Sequence, residues 1–297
     1  MPPIVETDNL TRYYGKTVGI ENLSLSVDEG RIFGFLGPNG AGKTTAISIL
    51  MNFLKPDTGS VKIFGRPVKW GDYTYLRRIG FLPGELALPN GFTGELLLKR
   101  WAELSGGKAP MMERTLDALS LSVKDLKRKT REYSTGMKQK LGIVGALQHL
   151  PELIILDEPT GGLDPLVKHA FLELLKEMNN QGSTIFFSSH ILSEVEQIAD
   201  STAIIRNGKI VVESDIDDLK HKQHKHVFIA FKTQKDLEEF TGKYDFSPQI
   251  DGLTVRFLAP MDITRLLKAV NGTNLTDLNI TTPTLEDIFL QYYENTD

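Results

Sequence analysis

Residues Arg31 to Leu54 constrain this chain more than any other stretch. An apolar run, Ile32-Phe33-Gly34-Phe35-Leu36, leads into Gly37-Pro38-Asn39-Gly40-Ala41-Gly42-Lys43-Thr44-Thr45, and an apolar, helix-compatible segment continues from Ala46 to Leu54. GxxxxGK[ST] between a strand and a helix is the setting of a phosphate-binding loop. Glycines at three of these positions let the backbone turn with positive φ and bring successive N–H groups close to an anion. The helix start adds unpaired N–H groups and the positive end of the helix dipole. Lys43 brings a mobile full charge for β- and γ-phosphates, and the Thr44 hydroxyl suits Mg²⁺.

The 297 residues suggest one to two domains with ample core. A net charge of −4 gives no general pull toward nucleic acid or an anionic membrane, so a polyanion must be held by a local site. The absence of cysteine excludes disulfides and thiolate metal sites and fits a reducing cytoplasm. Met1-Pro-Pro-Ile-Val-Glu does not read as a secretory signal, and no apolar run approaches the ~20 residues that span a bilayer. Any membrane-spanning part is expected on another chain.

Ile4 to Tyr14 and Val18 to Val27 alternate as two strands about Gly15-Lys16. Tyr13 and Tyr14 should face opposite sides, so only one of them could stack on a base. A turn at Lys55 to Gly59 precedes a strand near Ser60 to Phe64, and Ile79 to Leu82 is a further short strand ending at Pro83-Gly84-Glu85. From about Thr93 to Leu150 the periodicity becomes helical, as in Glu95 to Leu104 and Met111 to Leu119, which reads as a helical insertion into an α/β core. Leu104-Ser-Gly-Gly107 within it reads as a loop, because Lys108-Ala-Pro110 follows. Tyr133-Ser-Thr-Gly-Met137 instead opens the helical stretch Lys138 to Leu150, with either a capping role for Ser134 or a second anion-binding helix start.

Leu153 to Leu156 has the fully apolar character of a buried parallel strand and ends in Asp157-Glu158-Pro-Thr160. Acids at the C-terminal end of such a strand lie where open α/β sheets bind ligands. Alternation should point the two carboxylates apart, Asp157 toward Mg²⁺ and its waters, Glu158 toward an attacking water. Asp164-Pro165 begins the next helix as cap and first residue. Thr184 to Phe187 is another core strand, ending in Ser188-Ser189-His190 ahead of a helix from Ile191 to Ala199; His190 shares the sheet edge with the acids. Thr202 to Arg206 and Lys209 to Val212 form a hairpin through Asn207-Gly208.

His221 to His226 interleaves histidine with lysine, which repels a cation, and reads as a polar linker. Beyond it the order is strand (Val227–Phe231), helix (Gln234–Phe240), hairpin about Asp251-Gly252, helix (Asp262–Val270), strand (Leu275–Ile280) and a final helix (Thr284–Tyr293). That order predicts a small ferredoxin-like α+β domain over 221–297, with a role in regulation or assembly, after a first domain over 1–220 whose helical insertion spans about 93–150.

Five motifs in one order, GPNGAGKTT at Gly37 to Thr45, YSTGM at Tyr133 to Met137, LIILDEP at Leu153 to Pro159, GGLD at Gly161 to Asp164, and His190 after its strand, resemble the ATP-binding subunits of ABC transporters over residues 4 to 215. The resemblance implies a P-loop α/β core with an antiparallel β subdomain. It also implies Tyr14 against adenine, and Gly37, Pro38, Asn39, Gly40, Ala41, Gly42, Lys43, Thr44 and Thr45 around the phosphates of ATP. Thr44 and Asp157 would hold Mg²⁺, Glu158 would be the catalytic carboxylate, and His190 a switch at the γ-phosphate. Ser134 and Gly136 would bind the nucleotide of an opposite subunit, so that ATP joins two cassettes, as a homodimer or with a paired ABC subunit. A separate integral membrane transporter subunit is the implied partner, with no nucleic acid expected, and the chain would sit in the cytoplasm against the inner face of the membrane.

Against the family pattern, Gly84 stands where a glutamine is usual, with Glu85 beside it, and Thr135 and Met137 replace a glycine and a glutamine in the signature. The ending Thr282-Pro-Thr-Leu-Glu-Asp-Ile-Phe-Leu290 resembles the exporter branch. Two other readings compete: a soluble ABC ATPase working on ribosomes or DNA, which usually carries two cassettes or a long coiled coil, and a low-turnover nucleotide-dependent regulator.

Overall fold

The computed structural model describes residues 3–221, 225–243, 248–259 and 264–281. The chain divides into two compact units, Met1–Ser214 and Asp215–Asp297.

The first unit opens with β1 (Pro3–Tyr14) and β2 (Thr17–Asp28), then β3 (Ile32–Leu36), α1 (Lys43–Leu50), β4 (Thr58–Ile63), β5 (Arg66–Pro67) and β6 (Ile79–Leu82). Four helices follow, α2 (Gly94–Leu104), α3 (Met112–Ala118), α4 (Val123–Leu126) and α5 (Thr135–Leu147). The chain then alternates through β7 (Leu153–Asp157), α6 (Pro165–Asn180), β8 (Thr184–Ser189), α7 (Leu192–Ile198), β9 (Ser201–Arg206) and β10 (Lys209–Asp215).

These elements build two sheets. One runs β2-β1-β4-β5, antiparallel throughout; the other runs β10-β9-β3-β8-β7-β6, with parallel pairs from β9 across to β6. Every residue of β3, β7 and β8 is buried, and the apolar runs 32–36, 153–156 and 185–187 within them suit strands covered on both faces. Phe186 packs between Phe33 and Phe35, with ring centroids 5.5 and 5.4 Å away. A single core joins the two sheets, taking Val5, Leu10 and Ile20 from one, Phe35, Ile155 and Phe186 from the other, and Ile47 and Leu50 from α1. The strand bearing Tyr14 and the strand feeding the phosphate loop are therefore held as one body.

The second unit contains α8 (Ile216–His221), β11 (Lys225–Phe231), α9 (Gln234–Lys243), β12 (Gln249–Asp251), β13 (Thr254–Ala259), α10 (Thr264–Val270) and β14 (Leu275–Thr281). Its antiparallel sheet runs β12-β13-β11-β14, and Val227, Ile229, Phe231, Val255 and Phe257 pack with Leu237, Phe240 and Leu266 of the helices. The predicted helix at Thr284–Tyr293 lies outside the described residues.

Element boundaries depart from the sequence pattern where side chains decide them. Helix α1 ends at Leu50 rather than Leu54: Asn52 takes φ 58° and its amide donates to the carbonyls of Lys69 and Asp72. Helix α5 starts at Thr135, ahead of the apolar stretch, because Ser134 Oγ accepts from Met137 N. Four-residue α4 is too short for periodicity to show and rests on a capping box between Ser122 and Asp125. Leu104–Gly107 closes α2 without starting another helix, with Gly106 and Gly107 both at positive φ. The polar-linker reading of His221 to His226 is corrected at its described residues: His221 ends α8, while Lys225 and His226 already pair with Ala259 and Leu258 of β13; 222–224 lie outside the described residues. Sheet pairing overrides polar composition there.

Candidate active site

Strand β3 delivers the loop to the sheet edge, where Gly37 N donates to Ser189 O across the end of β8. Gly42 sits at φ 111° before α1, and a Cβ there would lie 2.5 Å from Gly19 O, so no other residue fits. Ala41 is buried, and its carbonyl accepts from Gly208 N. Gly208 and Asn207 both have positive φ in the β9–β10 turn, as a two-residue hairpin requires.

Lys43 is only 5% exposed. Its Nζ donates to Gly37 O at 2.6 Å and to Pro38 O at 3.1 Å, and pairs with Glu158 Oε1 at 3.0 Å. Thr44 Oγ1 donates to Asp157 Oδ2 at 2.7 Å. Asp157, itself buried, accepts on Oδ1 from Ser188 Oγ at 2.5 Å, and that same hydroxyl accepts from Glu158 N at 3.0 Å. Parallel register sets this up by placing Asp157 opposite Ser188.

The two carboxylates do diverge, for a different reason than strand alternation. Glu158 has left the strand with φ 48°, a left-handed conformation uncommon for glutamate. The kink carries its side chain between Lys43 and His190, whose Nδ1 lies 2.9 Å from Glu158 Oε2. Local strain of this kind gathers at functional sites.

Two cavities flank this cluster. One, about 310 Å³, is lined by Tyr14, Asn39, Gly40, Lys43, Thr45 and Glu158 among others. The Tyr14 ring lies against Gly19, where a Cβ would come within 2.8 Å of it, and its hydroxyl is 3.4 Å from Thr45 Oγ1; Tyr13 instead donates to Glu21. The other, about 530 Å³, is bordered by Asn39, Thr44, Gly84, Glu85, Asp157 and Glu158. Gly84 faces Asp157, and an added Cβ would sit 3.1 Å from its Oδ2. Ser134 and Gly136 line neither cavity within the chain. Gly136 instead abuts the Gly161–Gly162 turn, where a Cβ would lie 2.8 Å from Gly162 O, and Gln139 of the same helix donates to Pro159 O at 2.8 Å.

An ABC transporter family model matches residues 20–161. The bacitracin transport ATP-binding protein BcrA of Enterococcus faecalis is 35% identical over 97% of this chain and 96% of its own length. The BcrA protein of Bacillus licheniformis is 36% identical over 98% and 97%.

The chain belongs to the ATP-binding subunits of ABC transporters.

It is an ATPase of the kind coupled to transport. The linearmycin resistance ATP-binding protein LnrL of Bacillus subtilis is also similar, at 31% identity over 97% of each chain. A solved ATP-binding subunit of an ABC transporter, 33% identical, superposes with a TM-score of 0.68 over 74% of this chain and 92% of its own. An ABC cassette solved in its ADP conformation, 26% identical, gives 0.61 over 73% and 93%.

Sequence reasoning assigned no role to Ser188 or Gln139. The available signal was two serines closing the apolar run 185–187 beside the strand of the acids, where a buried hydroxyl needs a partner. Ser188→Ala removes the hydroxyl joining Asp157 to Glu158 N. Losing it should cost about 1–3 kcal/mol at the site, seen as a roughly 5- to 150-fold fall in phosphate release with the thermal midpoint tracked alongside.

Proposed function

We propose that two copies of this cassette, or this one and a paired ABC subunit, close around Mg²⁺-ATP and drive a separate membrane subunit in export. The observation that carries this reading is the linked set Lys43–Glu158–His190 beside Thr44–Asp157, at the C-terminal ends of β3, β7 and β8. Lys43 and the loop amides take the β- and γ-phosphates, Tyr14 stacks on the base, Glu158 orients water as general base, and His190 contacts the γ-phosphate. Thr44 and Asp157 offer hard oxygen donors meeting 2.7 Å apart, the set Mg²⁺ prefers alongside phosphate oxygens. Bound there, the metal would neutralise phosphate charge.

Ser134 and Gly136 lie outside both cavities, which favours their serving a second chain's nucleotide. Export is favoured by the names of the similar proteins, bacitracin transport and linearmycin resistance, since resistance to an antibiotic calls for removal from the cell. Among the described residues no helix is long and apolar enough to cross a membrane; the transport named for the similar BcrA proteins favours a separate polytopic partner, which the cassette would drive from the cytoplasmic side. An apolar cleft of about 380 Å³ with Phe53, Trp101, Leu104 and His149 in its walls opens beside Pro83, and Leu104 is 71% exposed. Burial pushes the His149 imidazole below its usual range, keeping the cleft uncharged at neutral pH. It supplies the membrane subunit with a seat next to Gly84 and Glu85.

Affinity purification from gently detergent-solubilised cells tests the reading. A stoichiometric polytopic membrane protein should co-purify, and Leu104→Asp should cut its recovery about tenfold or more, the scale of a buried hot spot. Recovery of ribosomes or DNA-bound proteins without a membrane chain would sink it.

A further inference from the structure

Glu194 of α7 is 1% exposed, and its charge is satisfied from three separate segments. Its Oε1 accepts from Thr160 Oγ1 at 2.7 Å and pairs with Lys168 Nζ at 2.6 Å, while Oε2 accepts from Ser189 Oγ at 2.7 Å. A helix docking on a sheet gains more from an apolar side chain than from a carboxylate, which must be fully paired to offset its desolvation.

Each partner adjoins the active site. Thr160 follows Glu158 by one proline, Ser189 immediately precedes His190, and Lys168 stands in the first turns of α6, which Asp164 caps. The Ser189 hydroxyl also accepts from Ile191 N at 2.9 Å, so the backbone on both sides of His190 is tied to the same knot. His190 itself is half exposed, and among the described residues its polar side-chain contact to the cluster is the 2.9 Å approach to Glu158. A ring so little packed depends on its backbone for its aim.

We propose that Glu194 is a positioning residue, fixing the Glu158 segment and the His190 turn relative to each other and tying both to α6. This rests on the roles of Glu158 and His190 given above. Glu194 acts through His190 and touches no nucleotide, so its loss degrades turnover and leaves ATP binding in place.

The test is a double-mutant cycle in the full-length chain with Mg²⁺-ATP, rates being normalised to folded protein by thermal melting. Glu194→Gln should lower kcat about ten- to hundredfold, the scale of an ångström-level misplacement, with KM for ATP within about twofold. In a His190→Ala background the same change should lower kcat by no more than about twofold further, because residues acting as a unit are non-additive. A purely structural role would give the same factor in both backgrounds. An impaired His190→Ala with a parent-like Glu194→Gln, or with additive losses, overturns the role of Glu194 alone. A parent-like His190→Ala overturns the role of His190 and the proposal with it. Should Glu194→Gln fail to fold, Thr160→Val, which removes one donor and keeps the Lys168 pair, carries the same cycle with the same expectations.

Discussion

Glu158→Gln is expected to bind ATP and almost stop hydrolysing it. The amide keeps the shape that spans Lys43 and His190 but cannot take a proton from water, a role worth about 10²- to 10⁴-fold in rate. The same change removes the anion held 3.0 Å from Lys43 Nζ. That anion competes with the nucleotide for the lysine, so affinity for ATP should rise several-fold as turnover falls. Phosphate release, nucleotide titration and gel filtration in Mg²⁺-ATP read the three consequences, the last as a stable dimer. Hydrolysis within about threefold of the parent would remove Glu158 from its role.

Lys43→Ala should fail one step earlier. The side chain is buried under two loop carbonyls and one carboxylate, so the change deletes the phosphate-binding charge and orphans its partners. Truncating one member of a buried hydrogen-bonded charge pair costs about 2–5 kcal/mol, roughly 30- to 4,000-fold in Kd for ATP. The loop backbone keeps its glycines, so the protein should remain folded, with circular dichroism as the control. Nucleotide binding equal to the parent's would contradict the geometry of the loop. The two variants separate holding from cutting: one should bind and not turn over, the other should not bind.

The phosphate loop, the acids at the end of β7 and His190 after β8 were legible because strand ends and glycine spacing leave little freedom in where those residues go. Strand alternation alone left Tyr14 as one of two adjacent tyrosines and the family resemblance chose it; the pairing of Tyr13 with Glu21 and the closeness of Tyr14 to Gly19 set the two rings apart in the structure. What stayed hidden depends on long-range contact. The left-handed turn at Glu158 leaves no mark in the sequence, since its cost is met by Lys43 and His190, which lie 115 residues before it and 32 after it by number. Ser188 and Glu194 look like ordinary polar residues until β7 and β8 stand in register and α7 docks. Lys225 and His226 misled for the opposite reason: the charges around them point to solvent-facing chain, yet β13 recruits both into a sheet.

The short span from Glu158 to Asp164 is touched three times by the helix that begins at Thr135, where Gly136 meets Gly162, where Gln139 holds Pro159, and where Lys140 Nζ lies 3.9 Å from Asp164 Oδ2. In a pair of cassettes that share their nucleotides, that helix start would face the partner's ATP while its flank leans on Pro159 and Gly162, just after its own chain's Glu158. Occupancy of one site would then alter the energy of the other through a bridge only a few bonds long, and linkage makes the effect mutual. The two sites would report to each other, and ATP dependence of the pair would depart from that of two independent enzymes.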